Sequence, residues 1–306
     1  MLTGKRAFAL FFIFVYNKNG DLMDGILLIN KEKDMTSRDV VNKVCHLLKT
    51  KKVGHTGTLD PMATGVLVLG INKGLKIVNE ITSLDKEYEA EITLGINTDT
   101  LDVTGNILEE REVNNIRNED IDKVLNSFIG NYHMEVPLYS AIKINGKKLY
   151  EYARNNEKVD IPFHDVYIYD LKRISDIKDN KFSIRCKVSK GTYIRSLIRD
   201  ISKELNTIGV MSKLNRIKQG SFDIKDCHTL KDIEDNNYKL LKIEDVLDLP
   251  LVEVKDIDYK RVINGNKIKN TYNYDKLVFL KNNELISIYE TDKEDNSLLR
   301  PLHMFI

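Results

Sequence analysis

The chain has 306 residues, which is enough for about two domains with their own cores, so a small scaffold held together by disulfides or metal is excluded. Hydrophobic residues make up 42% and charged residues 30%, and these values exclude disordered, collagen-like and coiled-coil chains. The 47 basic and 46 acidic residues give a net charge of +1, so the overall charge favours neither an anionic nor a cationic partner.

The cysteines and histidines argue against a disulfide framework and against a metal site. Three cysteines are present without a CxxC pair, and none of the six histidines forms an HExxH or HxxxH motif. We therefore predict no metal and a reducing, cytoplasmic location.

The N-terminus begins like a secretory signal peptide, because Lys5 and Arg6 precede the apolar run AFALFFIFVY. This run of ten residues is too short to span a bilayer, and no small-residue cleavage site follows it. We interpret residues 1–22 as an upstream extension, with Met23 as the working start, and predict no membrane segment.

The first elements are a strand, a helix and a loop. The run GILLINK from Gly25 predicts a strand, and apolar residues at helical spacing predict a helix over 37–49. Thr36 and Asp39 match a capping box at the start of that helix. Residues 53–65 contain three glycines and a proline, so they predict a loop that leads into the apolar VLVLG.

The remaining elements mix strands and helices without strict alternation. Strands are predicted over 88–94 and 182–188, and helices over 121–128 and 192–205. This order predicts an α+β fold with a largely antiparallel mixed sheet. After Pro250, further alternating runs and an Asn-Gly turn predict a small C-terminal β domain. The predicted domains are 23–245 and 250–306, and the acidic stretch 226–248 is interpreted as their connection.

Charge is distributed unevenly along the chain. Residues 183–220 hold nine Lys or Arg against two acids, a net charge of +7, whereas 226–258 have a net charge of −6. A basic segment of this size fits either a partner that is an anionic polymer or a solvated helix face, and the charges alone leave both open.

Asp60 is the candidate catalytic residue, because it is a lone carboxylate in the loop over 53–65 and His55 lies beside it in sequence. A carboxylate in such a loop can act as a nucleophile, as a general base or as a turn former. The phosphate-binding pattern GxxxxGK[ST] is missing from the sequence, which disfavours an ATP-dependent enzyme.

The string GHTGTLDPMATGVL at 54–67 closely resembles the catalytic motif of the TruB family of tRNA pseudouridine synthases. Four further segments resemble motifs of that family in the same order, between residues 25 and 216. They are GILLINKEKDMTS at 25–37, KEYEAEITLGINTDTLDVTG at 86–105, VPLYSAIKINGKKLYEYAR at 136–154 and SKGTYIRSLIRDI at 189–201. The segment LLRPLHMF at 298–305 is similar, less specifically, to a PUA-like RNA-binding domain.

The resemblance implies a catalytic domain of the pseudouridine synthase type followed by a PUA-like domain. It also implies isomerisation of uridine 55 in the TΨC arm of tRNA to pseudouridine, with the base flipped out of its stack. The partner is then tRNA, and neither a metal nor a cofactor is implied. Nothing in the sequence calls for an obligate protein partner or for more than a monomer.

The family's site residues carry over onto named positions. Asp60 corresponds to the nucleophile, with attack on the uracil ring or on the sugar C1′ both left open. Arg195 corresponds to the arginine that pairs with this aspartate, and Tyr88 to the tyrosine that stacks on the base and assists proton removal.

Substrate contacts carry over in the same way. Leu214 corresponds to an apolar residue against the flipped base, and His55 to a residue that enters the RNA loop. Phosphate contacts are predicted from the basic segments. The candidates are Lys49, Lys51, Lys52, Lys143, Lys147, Lys148, Lys190 and Arg199.

Two alternatives to a TΨC-arm synthase stay open. One is a tRNA-binding and folding module in which isomerisation is secondary or lost. The other is a synthase for uridines in other RNAs. The intact set of Asp60, Tyr88 and Arg195 favours the enzyme.

Overall fold

The computed structural model describes residues 23–306 and places eighteen strands there. In chain order they are β1 (Gly25–Lys31), β2 (Val53–His55), β3 (Thr64–Ile71), β4 (Lys86–Leu94), β5 (Ile96–Thr98), β6 (Ile107–Glu110), β7 (Gly130–Glu135), β8 (Lys143–Ile144), β9 (Lys147–Lys148), β10 (Phe163–Arg173), β11 (Lys181–Val188), β12 (Gly209–Gln219), β13 (Phe222–Asp223), β14 (Leu251–Glu253), β15 (Ile268–Lys269), β16 (Lys276–Lys281), β17 (Glu284–Thr291) and β18 (Leu298–Met304).

Seven α-helices and two short 3-10 helices connect these strands within the described residues. The α-helices are α1 (Ser37–Leu47), α2 (Val78–Thr82), α3 (Asn118–Ser127), α4 (Leu149–Arg154), α5 (Ile194–Glu204), α6 (Leu230–Glu234) and α7 (Asp256–Ile263). The 3-10 helices are Asn72–Ile77 and Ile224–Asp226. The strand at Gly25 and the capped helix after Thr36 are confirmed, since Thr36 and Asp39 exchange both hydrogen bonds of a capping box.

Nine strands form one sheet in the order β1-β3-β12-β4-β11-β10-β7, with β2 added beside β3 and β13 beside β12. Its neighbours are antiparallel except for β3 and β12, which run parallel where Thr64 faces Asn215 and Gly65 faces Arg216. The prediction of a largely antiparallel mixed sheet is confirmed. The parallel pair brings β3, which follows the loop that carries Asp60, next to the basic strand β12, and the paired residues are 151 positions apart in the chain.

Two helix pairs cover different halves of this sheet. Helices α3 and α5 pack their apolar residues over β4, β10 and β11, while α1 and α6 pack over β1 and β3. Helix α5 is strongly amphipathic, with Leu197, Ile198 and Ile201 fully buried. Its first turn therefore lies at the end of the core, beside β4.

The C-terminal strands form a five-stranded sheet in the order β14-β16-β17-β18-β15. The predicted β region also contains α7, which the strand-based interpretation missed. One apolar cluster is shared by both sheets, with Ile26, Val66 and Val68 from the large sheet and Val278, Ile288 and Phe305 from the small one. The boundaries 23–245 and 250–306 stay a prediction.

The acidic stretch 226–248 packs on the large sheet. His228 and Leu241 form bridges with Ile29 and Ile26 of β1, and α6 contributes Leu230 to the core beneath α1. The prediction about residues 1–22 lies outside the described residues. Within 23–306, no helix is long and apolar enough to cross a membrane.

Candidate functional site

A cleft of about 970 Å³ opens between the loop after β2, the first turn of α5 and the segments before α4 and after β11. We call it the cleft throughout. The residues that line it are 56–60, 139–141, 163–166 and 189–195, together with Thr82, Lys86, Tyr88, Tyr150, Leu214 and Arg216.

Asp60 lies on the wall of the cleft in a loop that local contacts hold firmly. The Asp60 carbonyl accepts a 3.0 Å hydrogen bond from the Ala63 amide, and the next carbonyl, of Pro61, accepts one from Asp34. The Ser37 hydroxyl accepts from the Leu59 amide at 2.9 Å. The Asp60 side chain keeps 33% of its surface exposed, so its carboxylate is both positioned and accessible from the cleft.

Arg195 holds this carboxylate from the first turn of α5. Its Nε lies 2.9 Å from Oδ2 of Asp60, and its Nη2 donates to Oδ1 at 3.3 Å. The Thr100 carbonyl accepts from Nη1 of Arg195 at 3.0 Å, and the Tyr139 carbonyl accepts from the same Nη2 at 3.1 Å. The Arg195 side chain is only 6% exposed. A planar guanidinium can meet these acceptors at once, which the point charge of a lysine cannot.

Lys31 supports the same loop from behind and is fully buried. Its Nζ donates to the carbonyls of Glu32, Met35 and Pro61 at 2.9, 2.6 and 3.2 Å. Burial lowers the pKa of Lys31 to about 8, while the nearby Asp60 carboxylate acts in the opposite direction. The ammonium thus ties β1 to the residue that follows Asp60.

Tyr88 faces the cleft from β4 and is mostly buried. Burial raises the pKa of Tyr88, and the guanidinium of Arg216, its cross-strand neighbour on β12, acts in the opposite direction. Arg216 is itself buried, and its Nε donates to the Val66 carbonyl at 2.7 Å. Near neutral pH the tyrosine therefore presents a neutral phenol to the cleft.

Lys86 is a further buried cation in the lining of the cleft, and it lies near Arg216. Its Nζ donates to the carbonyls of Thr82 and Leu84, both at 2.6 Å. Burial lowers its pKa to about 8, with Arg216 and Lys190 acting in the same direction. This end of the cleft is therefore rich in positive charge and suited to an anionic group.

The structure brings together five of the seven predicted site residues. Asp60, Tyr88, Arg195, Leu214 and Lys190 all line the cleft. The other two, His55 and Lys143, lie outside the lining.

His55 is at the end of β2, one residue outside the lining, and its Nδ1 accepts from the Gly57 amide at 3.3 Å. Burial lowers the pKa of His55, helped by Arg38 and Arg216. Lys143 lies exposed on the β8–β9 hairpin, two residues after Ala141 of the lining.

Several predicted phosphate contacts already have partners within the protein. Arg199 pairs with Glu135 at 2.6 Å and with Asp200 at 2.7 Å, and Lys147 pairs with Glu157 at 2.6 Å. Lys51, Lys52 and Lys190 have exposed side chains.

The prediction missed Lys86, Arg216, Ser140 and Tyr193, all of which line the cleft. Each lies within or directly beside a motif that was singled out, at 86–105, 136–154, 189–201 or around Leu214. Proximity in sequence to those motifs was the available signal, but burial of a charged side chain cannot be read from local sequence. Across residues 23–306, no group of three or more His, Cys, Asp or Glu side chains is arranged to hold a metal ion.

The arrangement suits covalent chemistry on a flat ring. A held, accessible carboxylate can attack an electrophilic carbon, and Tyr88 offers an aromatic surface for stacking. Leu214 adds an apolar wall, and the cations at one end favour a ligand that carries phosphate.

Comparison with known proteins gives consistent family matches. Residues 45–194 match the TruB family pseudouridylate synthase (N terminal domain), and residues 195–254 match the tRNA pseudouridylate synthase B C-terminal domain. A tRNA pseudouridine synthase B of Staphylococcus aureus (strain MRSA252) is 42% identical, covering 93% of this chain and 100% of that protein. One of Oceanobacillus iheyensis is 41% identical, covering 92% and 98%.

Solved structures share the fold. A chain from a Cbf5–Nop10–Gar1 complex superposes with a TM-score of 0.66 at 23% identity, covering 89% of this chain and 79% of that one. A chain from an H/ACA RNP bound to a substrate RNA containing 2′-deoxyuridine gives 0.67 at 20% identity, covering 99% and 88%.

Proposed function

The chain belongs to the TruB family of tRNA pseudouridine synthases, and on that premise we propose that it isomerises uridine 55 in the TΨC arm of tRNA. In this reaction the bond between uracil N1 and sugar C1′ breaks. A bond between uracil C5 and C1′ forms, C5 releases its proton to solvent, and N1 takes one up. The reaction is a net isomerisation, because the atoms of the nucleotide are conserved apart from the exchanged proton.

Asp60 is the nucleophile in this proposal. Its carboxylate bonds transiently to the sugar C1′ or to the uracil ring, and it leaves when the C-glycosidic bond has formed. Arg195 orients both oxygens throughout, since it binds Asp60 and two backbone carbonyls at the same time. The reacting group is thus fixed before the substrate arrives, which lowers the entropic cost of the step.

Tyr88 and Leu214 receive the flipped base. A stacked base inside an RNA arm is out of reach of Asp60, so the target uridine leaves the stack and enters the cleft. Tyr88 stacks on the pyrimidine, and its raised pKa favours this role over removal of a proton. Leu214 packs on the base.

The surrounding RNA is held outside the cleft. Lys190 and Lys143 contact backbone phosphates, and His55 supports the RNA loop from which the base has left. We further propose that the protein acts as a cytoplasmic monomer without an obligate protein partner.

The observation that carries the proposal is the pairing of Asp60 with the buried Arg195 on the wall of a cleft that also presents Tyr88 and Leu214. These residues are widely separated in sequence, yet they converge on one space of nucleotide size.

The test is release of tritium from tRNA labelled at C5 of uracil, with mapping of the modified position. We expect release by the wild type at position 55, loss of release by at least about 1,000-fold in Asp60→Asn, and tRNA binding within about twofold in both. Asp165→Asn is the matched control, because this carboxylate also lines the cleft but lies far more exposed and contacts His133 instead of an arginine.

Three results would contradict the proposal. Release by Asp60→Asn at the wild-type rate would remove this residue from the chemistry. Tight binding of tRNA without release by the folded wild type would favour a tRNA-binding and folding module, and release only from other RNAs would change the substrate.

A further inference from the structure

Arg216 is a charged side chain that lines the cleft and is nevertheless only 1% exposed. Its Nε donates to the Val66 carbonyl at 2.7 Å, and its Nη2 donates to the Gly57 carbonyl at 3.3 Å. Burial of a charge is costly unless hydrogen bonds replace those lost to water, so these contacts explain how the guanidinium is accommodated there. They also tie β12 to the chain on both sides of Asp60, because Gly57 precedes that residue and Val66 follows it.

The same guanidinium reaches the aromatic residue of the cleft. Tyr88 is the partner of Arg216 across the contact between β4 and β12, and both side chains line the cleft. Burial raises the pKa of Tyr88, while the charge of Arg216 and a hydrogen bond between the two side chains act in the opposite direction. A guanidinium can only donate, so the phenol oxygen accepts this bond. The hydroxyl end of the ring is therefore anchored within the protein.

One side chain thus connects the two groups that the proposed reaction requires. Gly57 is three residues before Asp60 in the loop that carries the nucleophile, and Tyr88 is the surface on which the base stacks. A reacting carbon has to lie within about 3–3.5 Å of the nucleophile for attack. A small displacement of Tyr88 relative to that loop therefore slows the reaction more than it weakens the binding of RNA.

We propose that Arg216 is a positioning residue, which fixes the stacking surface of Tyr88 relative to the loop that carries Asp60. This inference rests on the proposed function, because it takes the occupant of the cleft to be a flipped uridine and Asp60 to be the nucleophile. Arg216 contacts neither the reacting atoms nor the RNA in this proposal. Its effect on the rate passes through the hydroxyl of Tyr88.

The test is a double-mutant cycle between Arg216→Gln and Tyr88→Phe, measured as single-turnover rates on tRNA at saturating enzyme. Phenylalanine keeps the ring and removes only the hydroxyl, so Tyr88→Phe breaks the same link from the other side. We expect the rate to fall about 100-fold in Arg216→Gln and about 10-fold in Tyr88→Phe, the range for loss of a hydrogen bond to a charged group. The double variant should be no slower than the slower single variant, whereas independent effects would multiply to about 1,000-fold.

Arg173→Gln is the matched control, because this arginine is also mostly buried but pairs with Asp122 and Asp176 outside the cleft. We expect its rate to stay within twofold of the wild type, and its effect to multiply with that of Tyr88→Phe. Arg216→Lys keeps the charge and serves if Arg216→Gln fails to fold. The Cζ resonance of Tyr88 in ¹³C NMR, identified by its loss in Tyr88→Phe, should move in Arg216→Lys and stay in place in Arg173→Gln.

Three results would overturn the inference: wild-type rates in Arg216→Gln, single effects that multiply in the double variant, or an unmoved Tyr88 resonance in Arg216→Lys. Isomerisation of position 55 by the wild type is measured in the same series. Its absence would reject the proposed function, whereas its presence with any of these three results would reject only the role of Arg216.

Discussion

At the scale of residues, the site depends on charged groups that are held away from water. Arg195, Lys31 and Lys86 are each mostly buried, and each is bonded to two or more backbone carbonyls. Burial of an unpaired charge is costly, so these contacts are what allow the cations to lie close to the cleft and to the loop that carries Asp60. The geometry of the donors is therefore as important as their charge.

Arg195→Lys tests that geometry. Lysine keeps the charge but loses the fork that spans both oxygens of Asp60 and two carbonyls, so we expect kcat to fall about 100-fold while tRNA binding stays near the wild-type value. Single-turnover rates at saturating enzyme measure the effect. A variant with near wild-type kcat would show that charge alone is sufficient. Arg185→Lys, at an ion pair with Glu89 outside the cleft, is the control.

His55 provides a pH-dependent prediction. Its pKa is lowered below the ordinary value of 6.5 by burial and by Arg38 and Arg216. Between the folded pKa and 6.5, the unfolded chain binds a proton that the folded protein does not. Stability therefore rises with pH across that window, and the contribution of His55 is constant above it.

Titration of the His55 ring by NMR checks this directly, with a midpoint expected below 6.5. Arg38→Ala removes a neighbouring positive charge, so it is expected to raise the midpoint. A midpoint of 6.5 or above in the wild type would contradict the assignment.

At the scale of elements, the site depends on the parallel contact between β3 and β12. Gly65 has a φ of +103° and faces Arg216 across that contact. A Cβ at this position would lie 2.3 Å from the Arg216 carbonyl oxygen and 2.5 Å from Oδ1 of Asn215. The close approach of the two strands therefore requires glycine, and it keeps Leu214 and Arg216 in the cleft.

Gly65→Ala is expected to destabilise the protein by about 3 kcal/mol or more, because strain and a steric clash add together. Urea unfolding measures this change. Gly146→Ala is the matched control, since Gly146 also has a positive φ, +82°, but open space around its Cβ, and should cost only about 1 kcal/mol. Equal losses in the two variants would mean that backbone strain, not the approach of β12, decides the effect.

At the scale of the whole molecule, the two sheets are joined by the apolar cluster that contains Ile26, Val66, Ile288 and Phe305. A contact of 2.7 Å between Nε2 of His303 and Oε1 of Glu80 lies at the same junction. The C-terminal sheet is therefore packed against the back of β1 and β3, and these strands flank the loop that carries Asp60.

Phe305→Ala tests this coupling. Phe305 is 2% exposed, and loss of its ring is expected to cost about 3–5 kcal/mol. We expect hydrogen exchange to accelerate in β1 and β17 together. Acceleration in β17 alone would show that the C-terminal sheet opens independently. Phe163→Ala, at a half-exposed ring, is the control and should change stability little.

Local patterns in the sequence were sufficient to predict several strands and helices and to single out Asp60 as the candidate catalytic residue. The strand at Gly25, the Thr36–Asp39 cap and the amphipathic α5 all depend on residues within a few positions of one another, so periodicity and capping predict them. Asp60 was singled out because it is the lone carboxylate of a loop rich in Gly, Thr and Pro, and its role followed because the surrounding motif resembles a known family.

Only the tertiary structure decided how these parts form a site. Asp60 and Arg195 are 135 residues apart, and their pairing depends on where α5 packs at the end of the sheet. The burial of Lys31 and the parallel contact of β3 with β12 likewise come from long-range packing. Sequence patterns indicate which side chains can form hydrogen bonds or become buried in their own segment. The packing of distant segments determines which of these side chains meet in the cleft.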